Sequence, residues 1–344
     1  MILVSKLAMC MMITILNSRG EGMLKKILNV YEPIIRTNQC SAFIQAVIMA
    51  HPNVSNIVFT KYLNLFCEHM EGDMLNVEFT NVDWDYFRNI GIAEMDLYHR
   101  VNIEKNFLGR FIRERIDQNN YILLYAVDEF YIPYSINFKT KHFKHDTYVF
   151  GYEEENFYVM AYINDKFQAG KICENDLIDA FYSKELDDDT SFCSFKISDR
   201  VYVEFSYELF LENIRCYIEG IESNDRYSGD AIGIKIYEEV LEYLNNFIEK
   251  EYSEKEIDLK VFRTIWEHKK MLLYSIQKMN EYRSINLDKL NVCEKEANLL
   301  YFLILKYRAK GNMEFLEEAK GKLVYLQQIE RDALEEVLQN VGSL

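Results

Sequence analysis

The chain has 344 residues, 27% of them charged and 14% aromatic, with only 3 prolines. That composition excludes a disordered or low-complexity protein and leaves room for two domains with a sizeable core. A formal net charge of −16 argues against a nucleic-acid partner, whose phosphates the overall field would repel. The 7 cysteines are scattered, odd in number and without a Cys-x-x-Cys, which suits free thiols in the cytoplasm and argues against a disulfide framework or a cysteine-type zinc site.

Residues 1–22 open with MILVSKLAMCMMITIL, which looks like a short signal h-region. The apolar run is short for a membrane span, only Lys6 supplies positive charge, and no small-residue cleavage site follows. Residues 18–23, SRGEGM, can be encoded by a purine-rich stretch of the kind that forms a bacterial ribosome-binding site. The expectation is that 1–22 is an upstream extension or disordered leader, that Met23 rather than Met1 is the natural start, and that no membrane segment is present.

After a lead-in marked by Pro33, Gln39-Cys40-Ser41 opens a helix. Apolar residues at 43, 44, 47 and 48 keep helical spacing, and His51-Pro52 ends the run. Cys40 thus falls in the first turn, where unpaired N–H groups and the positive end of the macrodipole favour a thiolate. The competing reading is a small buried apolar residue, as most free cysteines are. Residues 54–105 mix short apolar runs with acidic loops in no clear order.

Residues 107–117, FLGRFIRERID, form a basic amphipathic helix, and 121–127, YILLYAV, an uninterrupted apolar strand buried on both faces. Asp128 to Tyr134 is an acidic, aromatic loop leading to the stretch 141–162, KHFKHDTYVFGYEEENFYVMAY. This reads as strand, acidic turn, strand, with His145 at the mouth of the first strand. Such a histidine is a natural seat for a general base, and equally for a residue that only caps the hairpin. His142 and His145 are a weak metal signal, because their odd spacing on a strand sends the rings to opposite faces. An acidic linker at 184–190 closes an α+β domain spanning 23–185.

Residues 192–205 alternate like a strand, and the remainder is helical with a period near 3.6: 207–219, 236–250, 259–283, 292–310 and 314–340. The last two form an antiparallel pair joined at Gly311-Asn312. His268, in IWEHKKM, reads better as a helix-packing histidine than as a functional one. The second domain, 190–344, is therefore mainly helical. No Gly-rich phosphate loop, GxSxG or HExxH occurs, so neither a cofactor nor a metal is expected.

A cysteine at a helix start and a histidine on a facing strand are the minimum for nucleophilic acyl transfer. The run from His145 to Gly151-Tyr152 resembles the His-strand-Gly-Tyr signature of papain-like and bacteriocin-processing cysteine peptidases. Four pieces together resemble the family related to the N-terminal domain of the butirosin-biosynthesis protein BtrH: the Cys40 helix, VDEFYIPY at 127–134, the H-x-x-H…G-Y run, and IWEHKKM at 265–271. Such proteins accompany nonribosomal peptide assembly lines in Firmicutes, and the papain-like amide synthase of closthioamide biosynthesis is of the same kind. The resemblance implies a papain-like fold that moves an acyl group from a carrier-protein or other thioester to an amine, with Cys40 as nucleophile and His145 as base. It also implies an acyl or peptidyl carrier protein and an amine acceptor as partners.

Papain-like enzymes orient the histidine with an Asn or Asp on the strand after the hairpin, and here that strand reads Val159-Met-Ala-Tyr162. Asn164, Asp165, Asp128 or a backbone carbonyl remain candidates for that role. An acidic carrier would need a local basic patch, for which Arg110, Arg113 and Arg115 are candidates. The alternatives are a non-catalytic accessory protein that binds a carrier or peptide, and a cysteine peptidase. The aromatic-rich helical half is suited to a homodimer interface.

Overall fold

The computed structural model describes residues 24–71, 74–80, 84–163, 166–185, 191–221, 229–249, 257–280 and 285–342. The expected extension 1–22 lies outside them, as do Asn164, Asp165 and residues 186–190 of the acidic linker. In chain order the elements begin with β1 (Lys25–Ile27), α1 (Gln39–Ile48), α2 (Val58–Lys61), β2 (Leu65–Met70), β3 (Met74–Phe79), α3 (Trp84–Asn89) and β4 (Ala93–His99). Then come α4 (Leu108–Asp117), β5 (Tyr121–Asp128), β6 (Lys144–Glu153), β7 (Asn156–Ile163), β8 (Lys166–Cys173), α5 (Glu174–Phe181) and β9 (Ser191–Ile197). The chain ends with α6 (Tyr207–Glu219), β10 (Ala231–Ile232), α7 (Ile236–Glu249), α8 (Leu259–Asn280), α9 (Asp288–Lys310) and α10 (Glu314–Gly342).

The fold is mixed α/β, with the larger sheet in the N-terminal part and helices in the C-terminal part. Contacts divide it into Met1–Ser55 with Asp83–Tyr202, and Asn56–Val82 with Val203–Leu344. This differs from the 23–185 and 190–344 division read from the sequence. The physical reason lies in two long-range pairings. Strand β9 hydrogen-bonds to both β4 and β5, so the chain returns to the first sheet after the expected boundary. The β2–β3 hairpin pairs with β10 and belongs to the helical unit. The alternation read to residue 205 supports a strand only to Ile197.

In the first unit the strands run β4-β9-β5-β6-β7-β8, with β1 against β6, and every pairing is antiparallel. One face is covered by α4 and α5 through Leu108, Ile112, Ile116, Leu177 and Phe181, packed on Ile122, Leu124, Val149 and Val159. On the other face Phe43 of α1 stacks on Tyr148 at 3.9 Å and meets Tyr121 and Phe195 edge-on. Strand β5 is therefore buried between helices on both sides, which is why its sequence is continuously apolar instead of alternating.

Helix α1 starts where the sequence suggests. Asn38 Oδ1 accepts the Ser41 N–H at 3.0 Å, a cap worth about 1 kcal/mol. Gln45, fully buried in mid-helix, is satisfied by accepting the N–H groups of Ile34 and Ile35, each at 3.1 Å. It thereby fixes the extended lead-in that delivers Cys40. Gly151 is required on β6: a Cβ there would lie 2.9 Å from Ile27 Cα and from Lys26 O, forcing β1 away.

In the second unit α9 and α10 form the expected antiparallel pair, and α9 is closed by Gly311 in the left-handed conformation (φ 66°). Lys269 and Glu330 form a buried ion pair. Tyr237 Oη donates to Glu330 at 2.6 Å, and Lys269 Nζ donates to Tyr217 Oη at 3.1 Å and to His268 Nδ1 at 2.8 Å.

Candidate functional site

Strand β6 passes the N-terminal end of α1, and Asp146 and Tyr148 carry the contacts between them. Cys40 is the second residue of α1 and is exposed, whereas Cys67, Cys193, Cys216 and Cys293 are buried. Burial pushes the thiols of Cys67, Cys193 and Cys293 up to about 12, which makes them inert at neutral pH. The Cys40 sulfur accepts a hydrogen bond from Tyr148 Oη at 3.4 Å and lies 4.0 Å from Asp146 Oδ2.

Asp146 owes its position to a bulge. The β5–β6 register shifts between Leu124 and Val127, so Tyr125 and Ala126 together face Asp146. Ala126 takes a left-handed conformation (φ 53°), and its N–H donates to Asp146 Oδ1 at 2.9 Å. Gln39 Nε2 donates to the Asp146 carbonyl from the α1 side. Burial raises the Asp146 carboxyl above its ordinary value, against the opposing pull of the Ala126 N–H and the His145 charge.

His145 is held on two sides. Its Nδ1 bonds Glu129 Oε1 at 2.7 Å, and its ring stacks on Tyr162 with centroids 5.3 Å apart and planes at 14°. Tyr162 Oη in turn reaches the carbonyls of Arg36 (2.8 Å) and Thr37 (2.9 Å), in the segment that enters α1. Glu129 is itself fixed, since Ser135 Oγ (2.7 Å) and Asn137 Nδ2 (2.6 Å) both donate to its Oε2. Burial raises the Glu129 carboxyl, but the hydrogen bonds from His145, Ser135 and Asn137 outweigh it and leave the group below its ordinary value. A carboxylate accepting from Nδ1–H selects, for the neutral imidazole, the tautomer whose Nε2 is unprotonated.

Of the sequence candidates, Cys40 and His145 come to the same strand, but the thiol meets it at Asp146 and Tyr148. Asp128 does not orient His145; it bonds His142 Nδ1 at 2.7 Å, with Ser183 Oγ also donating to it at 2.6 Å. Asn164 and Asp165 are outside the described residues. Glu129, Asp146, Tyr148 and Tyr162 were not among the candidates. The one legible signal was the acidic pair Asp128-Glu129 at the end of an apolar strand, where either residue lies near the mouth of the next.

The arginines of α4 are tied to local acids and tyrosine. Arg113 bonds Glu174 at 2.5 Å, Arg110 bonds Glu114 at 2.8 Å, and Arg115 bonds Tyr98 Oη. His268 is fully buried, with Nε2 on the Leu63 carbonyl at 2.9 Å, as a packing residue would be. Among the described residues no group of three or more His, Cys, Asp or Glu is arranged to hold a metal ion, and no helix is long and apolar enough to cross a membrane. No protein-family model matches the chain, and no curated protein matches it.

Proposed function

We propose that the chain is a cysteine-dependent acyltransferase of papain-like arrangement, moving an acyl group from a carrier-protein or other thioester to an amine. The observation that carries this reading is the meeting of an exposed cysteine at a helix start with the strand that holds a carboxylate-oriented imidazole, His145 lying one residue before Asp146. His145 Nε2 takes the Cys40 proton, and the sulfur attacks the thioester carbonyl. The imidazolium returns the proton to the departing thiol, leaving the acyl group on Cys40. The amine then attacks this second thioester, loses a proton to His145, and departs as an amide while Cys40 regains its proton. The helix start supplies the dipole for the developing oxyanion, and Tyr148 Oη a hydrogen bond that favours sulfur as thiolate. Glu129 fills the orienting role in this reading.

A second reading, a non-catalytic accessory protein, is favoured by Asp146, whose carboxylate beside Cys40 disfavours a thiolate. The two separate on thiol reactivity. As a catalytic nucleophile, Cys40 should be alkylated at neutral pH much faster than the buried cysteines, and His145→Gln should slow it. Equal, sluggish alkylation in both proteins would favour the accessory reading.

A further inference from the structure

A cavity of about 250 Å³ opens in the first unit near the C-terminal end of α1. The 10 residues of α1 rise about 15 Å, so this cavity is separate from the Cys40 end. Its lining includes Lys26, Asn29, His51, Tyr121, Lys196 and Asp199. The walls are built from satisfied, rigid pieces. Tyr121 stacks on Phe195 at 5.5 Å and donates its hydroxyl to the Asn29 carbonyl at 2.7 Å. His51 Nε2 bonds the same hydroxyl at 3.1 Å; with the hydroxyl proton committed to Asn29, Nε2 is the donor and Nδ1 is left as an acceptor. Burial lowers the basicity of this imidazole, although Asp199 pulls the other way.

Charges complete the lining. Lys26 Nζ is held by the Asp117 carbonyl at 2.7 Å, with donors to spare. Lys196, whose cross-strand partner in register is Glu94, is among the residues that line the cavity. Asp199 sits on a loop clamped by Asn53 Nδ2, which donates to the carbonyls of Ser198 (3.0 Å) and Val201 (2.6 Å). Two lysines, one aspartate and a histidine thus line one small space.

We propose that this cavity binds a small amino acid, its carboxylate taken by Lys26 and Lys196 and its ammonium by Asp199 and His51 Nδ1. The volume excludes a nucleotide-sized ligand, and Asp199 would repel a phosphate dianion while it complements a zwitterion. The negative pole of α1 at this end further favours an ammonium. This inference does not depend on the acyl-transfer reading.

The test is calorimetric titration of the full chain with each standard L-amino acid, and with inorganic phosphate, propionate and methylamine. At least one amino acid should bind saturably and more tightly than propionate or methylamine. Lys196→Gln and Asp199→Asn should each weaken it by about tenfold or more, the loss of one charge-assisted hydrogen bond, while Cys40→Ala leaves it unchanged. Both substituted side chains are at least partly exposed, and a thermal melt checks that the variants fold. Absence of saturable binding for every amino acid would overturn the proposal. So would phosphate or propionate binding as tightly as the best amino acid, binding that survives both charge variants, or binding that is lost in Cys40→Ala.

Discussion

Glu129 and His145 share a 2.7 Å hydrogen bond from Nδ1 to Oε1, although neither lies on the strand where papain-like enzymes keep the orienting residue. The pair exists because Val127 lies opposite His145 and Asp128 opposite Lys144, so Glu129, just past the end of β5, comes diagonally across from the imidazole. Its neighbour Asp128 makes the parallel bond to His142, and two adjacent carboxylates thereby hold two histidines. They differ in surroundings: the Asp128 side chain is fully buried while its histidine is 41% exposed, whereas Glu129 retains 12% exposure and its histidine 32%. His145 is also the residue before Asp146, whose Oδ2 lies 4.0 Å from the Cys40 sulfur.

Glu129→Gln preserves the size of the orienting side chain and removes its charge. Thiol acylation should fall about 10- to 100-fold, the usual cost of losing a partner that orients a reacting group. Intact-mass kinetics on the folded variant measures this, and an unchanged rate would remove Glu129 from the mechanism.

Asp128→Asn should act on stability. The hydrogen bonds from Ser183, His142 and the Phe130 N–H outweigh burial and hold the Asp128 carboxyl below its ordinary 3.8. A carboxyl depressed on folding stabilises fully above its unfolded value and loses that contribution as pH falls through the folded value. The variant should therefore lose about 1–3 kcal/mol at neutral pH, with the gap to wild type closing below about pH 4. Urea melts across that range test it.

Asp146 has the opposite sign. Its carboxyl is raised by burial, so its ionisation costs stability above the unfolded value of 3.8. Asp146→Asn keeps an acceptor for the Ala126 N–H and removes a negative charge beside the Cys40 sulfur. The pH midpoint of Cys40 alkylation should move down in the variant, and stability at neutral pH should hold or rise. An unmoved midpoint would mean that Asp146 does not govern the thiol.

The buried network of the helical unit predicts a different pattern. Glu330→Gln leaves Lys269 as an uncompensated buried ammonium and should cost about 3–5 kcal/mol. Replacing both residues by apolar ones of similar volume should recover most of that loss. Urea denaturation of the single and double variants compares the two, and Cys40 alkylation should be unaffected in either.

Local pattern was legible where local chemistry decides. The bounds of α6 coincide with the periodic segment 207–219, because Ser206 caps its start and Gly220 its end. The β6–β7 hairpin, the β5 run and the position of Cys40 on α1 were readable for the same reason. Long-range pairing was not. Nothing in residues 191–197 says that they enter the sheet between β4 and β5, and nothing in 65–79 assigns that hairpin to the helical unit. The site failed at the same level. The bulge at Tyr125-Ala126 decides which residue meets the thiol, and a two-against-one register leaves no mark in the alternation of an all-apolar strand.

The most direct measurement is the intact mass of the protein after mixing with a panel of acyl-pantetheine thioesters, beside Cys40→Ala. The expected result is an acyl adduct on the wild type alone, discharged when an amine is added. No adduct with any thioester, or an equal adduct on Cys40→Ala, would contradict the acyl-transfer account.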